Sequence, residues 1–331
     1  MRRFFRTLGV AALAASLALG AAAQSKGSKG KDQDKSKESQ KIEDLITKGE
    51  YQKAVDLAQK FIAAGQVTEG LYIDLGVAHY NLKNYEAAIQ AFEKAVEQNP
   101  FGTQALLYEA TCYHDMGQEA KAAEAFQRAI DVDPTNNEVR YNIAQLYERS
   151  NRPQDALAQY KAIYQQNPDF KDVAFAAGIL LFNQGQYAEA EPYFEKAAAL
   201  NPNDEQVLLA VGQNLLKTDN YDKAIPALLK YVEVTKNDTY KPAVLDQVAI
   251  AYEKQKNYEG ALATYDRILA LRPNWEKALL GKGNALVNLK RYAEAVPVLK
   301  SYLEISKNEE KKKAVQDLLK QVEPLAKKGG K

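Results

Sequence analysis

From Ser39 onward the apolar residues of the chain return every three or four positions, the spacing of one face of an α-helix. The runs are short. A polar break divides each near its middle, as at Lys83-Asn84 and Gly185-Gln186, so the pattern predicts helices that come in pairs. The pairs recur on a fixed period. Pro100, Pro134, Pro168 and Pro202 lie 34 residues apart, and so do Ala54, Ala88, Ala122, Ala156, Ala190 and Ala224. After a three-residue insertion near Lys236–Lys241 the alanine series resumes at Ala261 and Ala295.

Other columns keep the same register. Twelve residues before the last seven alanines stand Gly76, Ala110, Ala144, Gly178, Gly212, Ala249 and Gly283. Four residues after the alanines come Ala58, Phe92, Phe126, Tyr160, Phe194, Leu228, Tyr265 and Leu299. Three residues before them stands a tyrosine in six of eight units, with Glu119 and Pro153 as the exceptions. The small residue of the first helix is expected to face the recurrent Ala of the second, so that two backbones approach closely while the aromatic positions fill the gaps beside them. Pro at the end of a unit stops the second helix. One helix pair cannot cover its own apolar face, so neighbours must stack into a continuous core.

These residues resemble the tetratricopeptide repeat family. The second unit reads Tyr72-x2-Leu75-Gly76-x2-His79, then Ala88-x3-Phe92, then Pro100, and the fifth supplies Gly178, Tyr187, Ala190, Phe194 and Pro202. The resemblance implies an all-α fold, an α-α superhelix (a tetratricopeptide repeat solenoid) of about eight helix pairs over 39–308. Residues 309–326 are expected to add an amphipathic capping helix. Ile42 departs from the usual Gly or Ala, so the first helix of the array is expected to fray. Pro192, Pro226 and Pro297 share one register early in second helices, where each is expected to bend its helix or shift its start by a turn.

The ends read differently from the body. Arg2, Arg3 and Arg6 precede a largely apolar stretch, Leu8 to Ala23, that closes on Ala21-Ala22-Ala23, the layout of a cleaved export signal over 1–23. Sixteen residues fall short of the roughly 20 that span a bilayer comfortably, which disfavours the alternative of a retained anchor. Residues 24–38 contain no large apolar side chain and read as a disordered Lys/Ser/Asp-rich linker, and 327–331 as a disordered tail. The expected compartment is the periplasm.

Composition narrows the chemistry. There are 44 Lys and Arg against 43 Asp and Glu, but the basic residues are concentrated at the two ends, leaving the body between them at −9. An acidic body with basic tails is a poor nucleic-acid binder. One Cys and two His leave no material for a disulfide framework or a thiolate zinc cage. Cys112 and His114 could be read as a metal pair, but no further ligand cluster stands near, and Cys112 fits better as a buried small hydrophobe. His79 falls on an aromatic packing position. Gly281-Lys282-Gly283 has a superficial likeness to a phosphate loop but lacks the following Lys-Ser/Thr and lies within a predicted helix. No nucleophile motif is present. No cofactor, metal or catalytic activity is expected.

What remains is the wall of first helices, on which the family resemblance places the ligand-facing positions. The expected groove residues are Tyr80, Asn81, Tyr141, Arg149, Phe175, Ile179, Phe182, Asn183, Leu216 and Lys217. Tyr141, Phe175, Phe182 and Leu216 are expected to form an exposed apolar strip, with Asn81, Asn183, Arg149 and Lys217 supplying hydrogen bonds and charge. The alternative is that these side chains pack between successive first helices. Ile73, Val77, Leu107 and Thr111 occupy the positions where chaperone-gripping relatives carry a carboxylate clamp, so that clamp is absent. The expected function is an exported, non-enzymatic scaffold or adaptor that binds protein or peptide segments in the groove, for assembly of a cell-envelope complex. The competing reading is a surface-associated spacer whose Lys-rich tails hold it to anionic polymers or lipids, with membrane contact at most peripheral.

Overall fold

A computed structural model describes residues 37–328, and these fold into helices joined by turns, with no strand among them. The expected signal segment at 1–23, the linker apart from its last two residues, and 329–331 lie outside the described residues. The first compact unit runs through Gln166 and the second begins at Asn167.

The first unit contains α1 (Lys37–Thr47), α2 (Tyr51–Ala63), α3 (Glu69–Asn81), α4 (Tyr85–Gln98), α5 (Thr103–Asp115), α6 (Glu119–Val132), α7 (Asn137–Arg149) and α8 (Pro153–Gln166). Each odd-numbered helix packs on the even-numbered helix that follows. The first helices also touch one another in sequence, α1 on α3, α3 on α5 and α5 on α7. The second unit repeats the plan with α9 (Val173–Asn183), α10 (Tyr187–Leu200), α11 (Glu205–Lys217), α12 (Tyr221–Val234), α13 (Lys241–Lys254), α14 (Tyr258–Leu271), α15 (Glu276–Asn288) and α16 (Tyr292–Ile305). A single helix, α17 (Glu309–Lys328), then packs on α16 and reaches past the expected end at 326. Within each unit the architecture is a helical solenoid of stacked pairs.

Local chemistry sets the helix ends. Thr68, Asn136 and Asp204 cap α3, α7 and α11, their side-chain oxygens accepting from Leu71 N, Val139 N and Val207 N at 3.2, 3.1 and 3.0 Å. Each turn within a pair is made by one residue in the left-handed region: Gly49, Lys83, Gly117, Asn151, Gly185, Asp219, Lys256 and Lys290. Around Lys83, the Lys83 amide donates to Tyr80 O and the Asn84 amide to His79 O, both at 2.9 Å. This pair of bonds satisfies carbonyls that the ending helix leaves open.

Every recurrent Ala is fully or almost fully buried. The sequence led us to expect the small residue twelve positions earlier to face that Ala; at the four glycines of the column it faces a large side chain instead. A Cβ on Gly178 would lie 2.8 Å from the Phe194 ring, and Gly76, Gly212 and Gly283 face Phe92, Leu228 and Leu299 in the same way. The glycine opens a slot for the large residue of the partner helix. Ile42, expected to mark a frayed start, is completely buried against α2 and α3 neighbours including Ala58 and Leu71. Pro192, Pro226 and Pro297 do not shift the starts of their helices. α10, α12 and α16 start at Tyr187, Tyr221 and Tyr292, matching the proline-free α4 at Tyr85.

Candidate protein-binding surface

On the first unit the two expected aromatic positions are wholly or partly covered, while the two polar ones are exposed. Tyr141 is only 8% exposed because the ring of Tyr160 on α8 covers it edge-on, centroids 5.8 Å apart. The expectation of an exposed anchor there fails: a ring that size on α7 is drawn into the core by its partner helix. Tyr80 is half-buried, and its hydroxyl donates to Asp115 Oδ2 at 2.6 Å. Burial and that carboxylate together push the Tyr80 pKa well above the ordinary phenol value. Asn81 is exposed but spends its amide on Val77 O at 2.8 Å, a bond internal to α3. Arg149 is exposed, without an ion pair among the described residues.

The second unit presents more. Phe175, Ile179 and Phe182 on α9 and Leu216 on α11 are half-buried, while Asn183 and Lys217 are exposed. Phe182 stands edge-on to Tyr187 at 5.2 Å and near Phe194 at 6.4 Å, so part of its ring is taken up by packing. Phe175 leans on Phe194 at 6.3 Å. Lys217 Nζ lies 6.0 Å from the Tyr187 ring centroid, a cation resting on the same aromatic cluster. An apolar row flanked by free polar tips is what an orienting protein contact needs.

The same register, carried past the insertion, leads to a part of the wall that the expected residues omitted. Ile250 and Lys254 on α13, Asn284, Val287 and Asn288 on α15 and Leu318 on α17 line an open cleft of about 540 Å³. Ile250 is 44% exposed, more open than any of the expected anchors. The signal was in the sequence: Ile250 occupies the register position of Ile179, two units on. The capping helix also uses part of its basic charge internally, as Lys312 and Lys320 pair with Glu309 and Asp317 at 3.0 and 2.8 Å.

Titratable groups elsewhere are explained by packing. Cys112 is completely buried, and burial pushes its thiol pKa up to about 12. Burial lowers the pKa of His79. His114 Nδ1 lies 2.8 Å from Glu119 Oε1, and Ser150 Oγ lies 3.0 Å from His114 Nε2, an order of groups like that of a hydrolase triad. The geometry differs from a triad. Ser150 Oγ sits 3.3 Å from the other ring nitrogen and gives its proton to Leu146 O at 2.7 Å, so no imidazole lone pair is aimed at it. Arg152 joins the same cluster, 3.3 Å from Glu119 and 2.7 Å from Asp155, making it a strut between α6 and α8. Lys282, within the Gly281-Lys282-Gly283 stretch, is helical and pairs with Asp266 at 2.6 Å. No cluster of three or more His, Cys, Asp or Glu suited to a metal ion is found among the described residues, nor a helix long and apolar enough to cross a membrane.

Stacked helix pairs with small-residue slots and a lined first-helix wall define a class of repeat proteins, and comparison agrees. Two tetratricopeptide repeat profiles match the chain, over residues 1–226 and 248–310. The chain belongs to the tetratricopeptide repeat family. Among solved structures it is similar to the C-terminal part of a TPR repeat-containing protein from Cytophaga hutchinsonii. That match has 22% identity and a TM-score of 0.56, covering 74% of this chain and 99% of that one. It is also similar to a chain in the structure of Naa15/Naa10 bound to HypK-THB, with 17% identity and a TM-score of 0.61, covering 75% of this chain and 39% of that one. No curated protein matches the chain.

Proposed function

We propose that the protein is an exported, non-enzymatic scaffold that holds a protein segment along its first-helix wall, in the assembly of a cell-envelope complex. The observation that carries this reading is the row of Phe175, Ile179, Phe182 and Leu216 in the second unit, half-buried and bordered by exposed Asn183 and Lys217. A bound segment would lay apolar side chains along that row. The free amide and ammonium groups would fix its register. The open cleft around Ile250 extends the same kind of surface toward the C-terminal helix.

The test is crosslinking in intact cells from a photoreactive residue at Phe182, with a second probe at Ile250. Covalent capture of one envelope protein from Phe182, reduced by Ile179→Glu with helicity unchanged, is the expected result. Failure to capture any protein from either position in the fractionated periplasm, with the chain present there, refutes the reading. Recovery of the unprocessed chain in the cytoplasm refutes its exported part.

A further inference from the structure

Ten residues after each recurrent Ala, the second unit places an apolar residue at the last position of a second helix: Leu200 on α10, Val234 on α12, Leu271 on α14 and Ile305 on α16. The first unit holds Ala64, Gln98, Val132 and Gln166 there. Leu200, Val234 and Leu271 are 38, 36 and 48% exposed, and Tyr240, in the loop that follows Val234, is 40% exposed. Half of the large apolar side chains left open among the described residues therefore stand on this one edge. The turns that carry them touch in sequence. Asn203 and Glu205, just beyond Leu200, line an open cleft of about 660 Å³ together with Val234 and Asn237. Arg272, next to Leu271, donates from Nη2 to Thr239 O at 3.5 Å.

Charge is unequal along this strip. The turn after Leu200 carries Asp204 and Glu205, both exposed. The turn after Leu271 carries Arg272 and Lys277, also exposed, while Glu276 between them accepts from Ser306 Oγ at 2.6 Å. In the middle turn Asp238 is paired with Lys241 at 2.8 Å, which leaves Lys236. A two-fold axis running along the strip would set each turn of one copy against the same turn of another, acid on acid and base on base. A two-fold standing on the Val234–Tyr240 turn instead sets the Leu200 turn of each copy against the Leu271 turn of the other, so that acids face bases. The like charges left in contact are Lys236 and its own copy. An anionic lipid surface, the other occupant suited to apolar tips among cations, would be repelled by Asp204 and Glu205 beside Leu200.

We propose that this edge is a self-association surface, on which a second copy of the chain packs antiparallel. Leu200 meets Leu271 of the other copy, Val234 and Tyr240 meet their own copies, and Glu205 stands opposite Arg272 at both ends. The strip lies at the ends of second helices rather than along the first-helix wall, so the inference does not rest on the protein-binding reading.

Analytical ultracentrifugation of the folded chain, from about 1 to 200 μM at low salt, tests this. The wild type should dimerise. Leu271→Asp should raise the dissociation constant by about tenfold or more, because a two-fold counts each substitution twice. If Leu271→Asp lowers helicity, Leu200→Asp reports the same contact from the opposite side. Glu205→Lys and Arg272→Glu should each weaken the dimer about tenfold. An equimolar mixture of those two variants should recover wild-type association, since each mixed dimer again opposes unlike charges at both ends. A wild type that stays monomeric at 200 μM overturns the proposal, as does a dimer that both aspartate variants leave intact or a mixture that fails to recover. Co-sedimentation of a monomeric wild type with phosphatidylglycerol vesicles, lost in Leu271→Asp, also overturns it and assigns the edge to a lipid surface.

Discussion

The turn within each helix pair forces one backbone shape on eight different residues, and three of them are badly suited to it. Lys83, Lys256 and Lys290 sit at φ +62°, +57° and +59°, where Gly49, Gly117 and Gly185 serve in sister repeats. All three lysines are exposed, and none forms an ion pair among the described residues, so their side chains can be removed without another loss. A non-glycine residue in this region costs about 1–2 kcal/mol. Glycine avoids that cost but surrenders about 0.5–1 kcal/mol of extra chain entropy on folding. The difference favours Lys290→Gly by about 0.5–1 kcal/mol, and Lys83→Gly adds independently because it lies in the other unit. For a unit of this size the shift in Tm is about 1–4 °C. Stacked repeats can open one at a time, so the sharper readout is amide exchange in α15 and α16, slowed about two- to fivefold. Lys290→Ala keeps the strain and should change neither quantity. A lower Tm for Lys290→Gly, or an equal gain for Lys290→Ala, refutes the argument that backbone strain is what the lysines carry.

Three further outcomes follow from the packing. Ala190 is fully buried, so Ala190→Leu should destabilise the second unit by about 1–3 kcal/mol through overpacking, read by urea unfolding. Cys112, with its thiol pKa raised to about 12 by burial, should resist maleimide at pH 7.5 in the folded chain and react promptly in urea; fast labelling of the native protein contradicts its burial. Glu109 is buried, and burial raises its carboxyl pKa above the ordinary 4.5 although Arg128 stands 3.3 Å away. The native state then holds this proton more tightly than the unfolded chain does. Its contribution is complete below pH 4.5 and is lost as pH rises through the higher native value. Glu109→Gln should flatten that part of the stability–pH curve measured by urea unfolding, and an unchanged slope counts against the assignment.

The repeat, its period and its helix pairs were legible in the sequence because each depends on neighbours close along the chain. Small residues at fixed offsets and an apolar face every three to four positions are enough to specify a stacked pair, and the alanine column is buried throughout the array. The cap at Thr68 is local chemistry of the same kind. The site was less legible. The register places Tyr141 and Ile250 each on the first-helix face of its own unit, but only tertiary packing decides that the Tyr160 ring covers the first while the second stays 44% exposed. The left-handed turns at Lys83, Lys256 and Lys290 gave no signal because lysine has no preference for that conformation; the bonds closing each helix impose it. Periodicity fixes which face a residue belongs to, whereas exposure depends on the size and rotamer of side chains contributed by other helices, and that information exists only once the helices are packed.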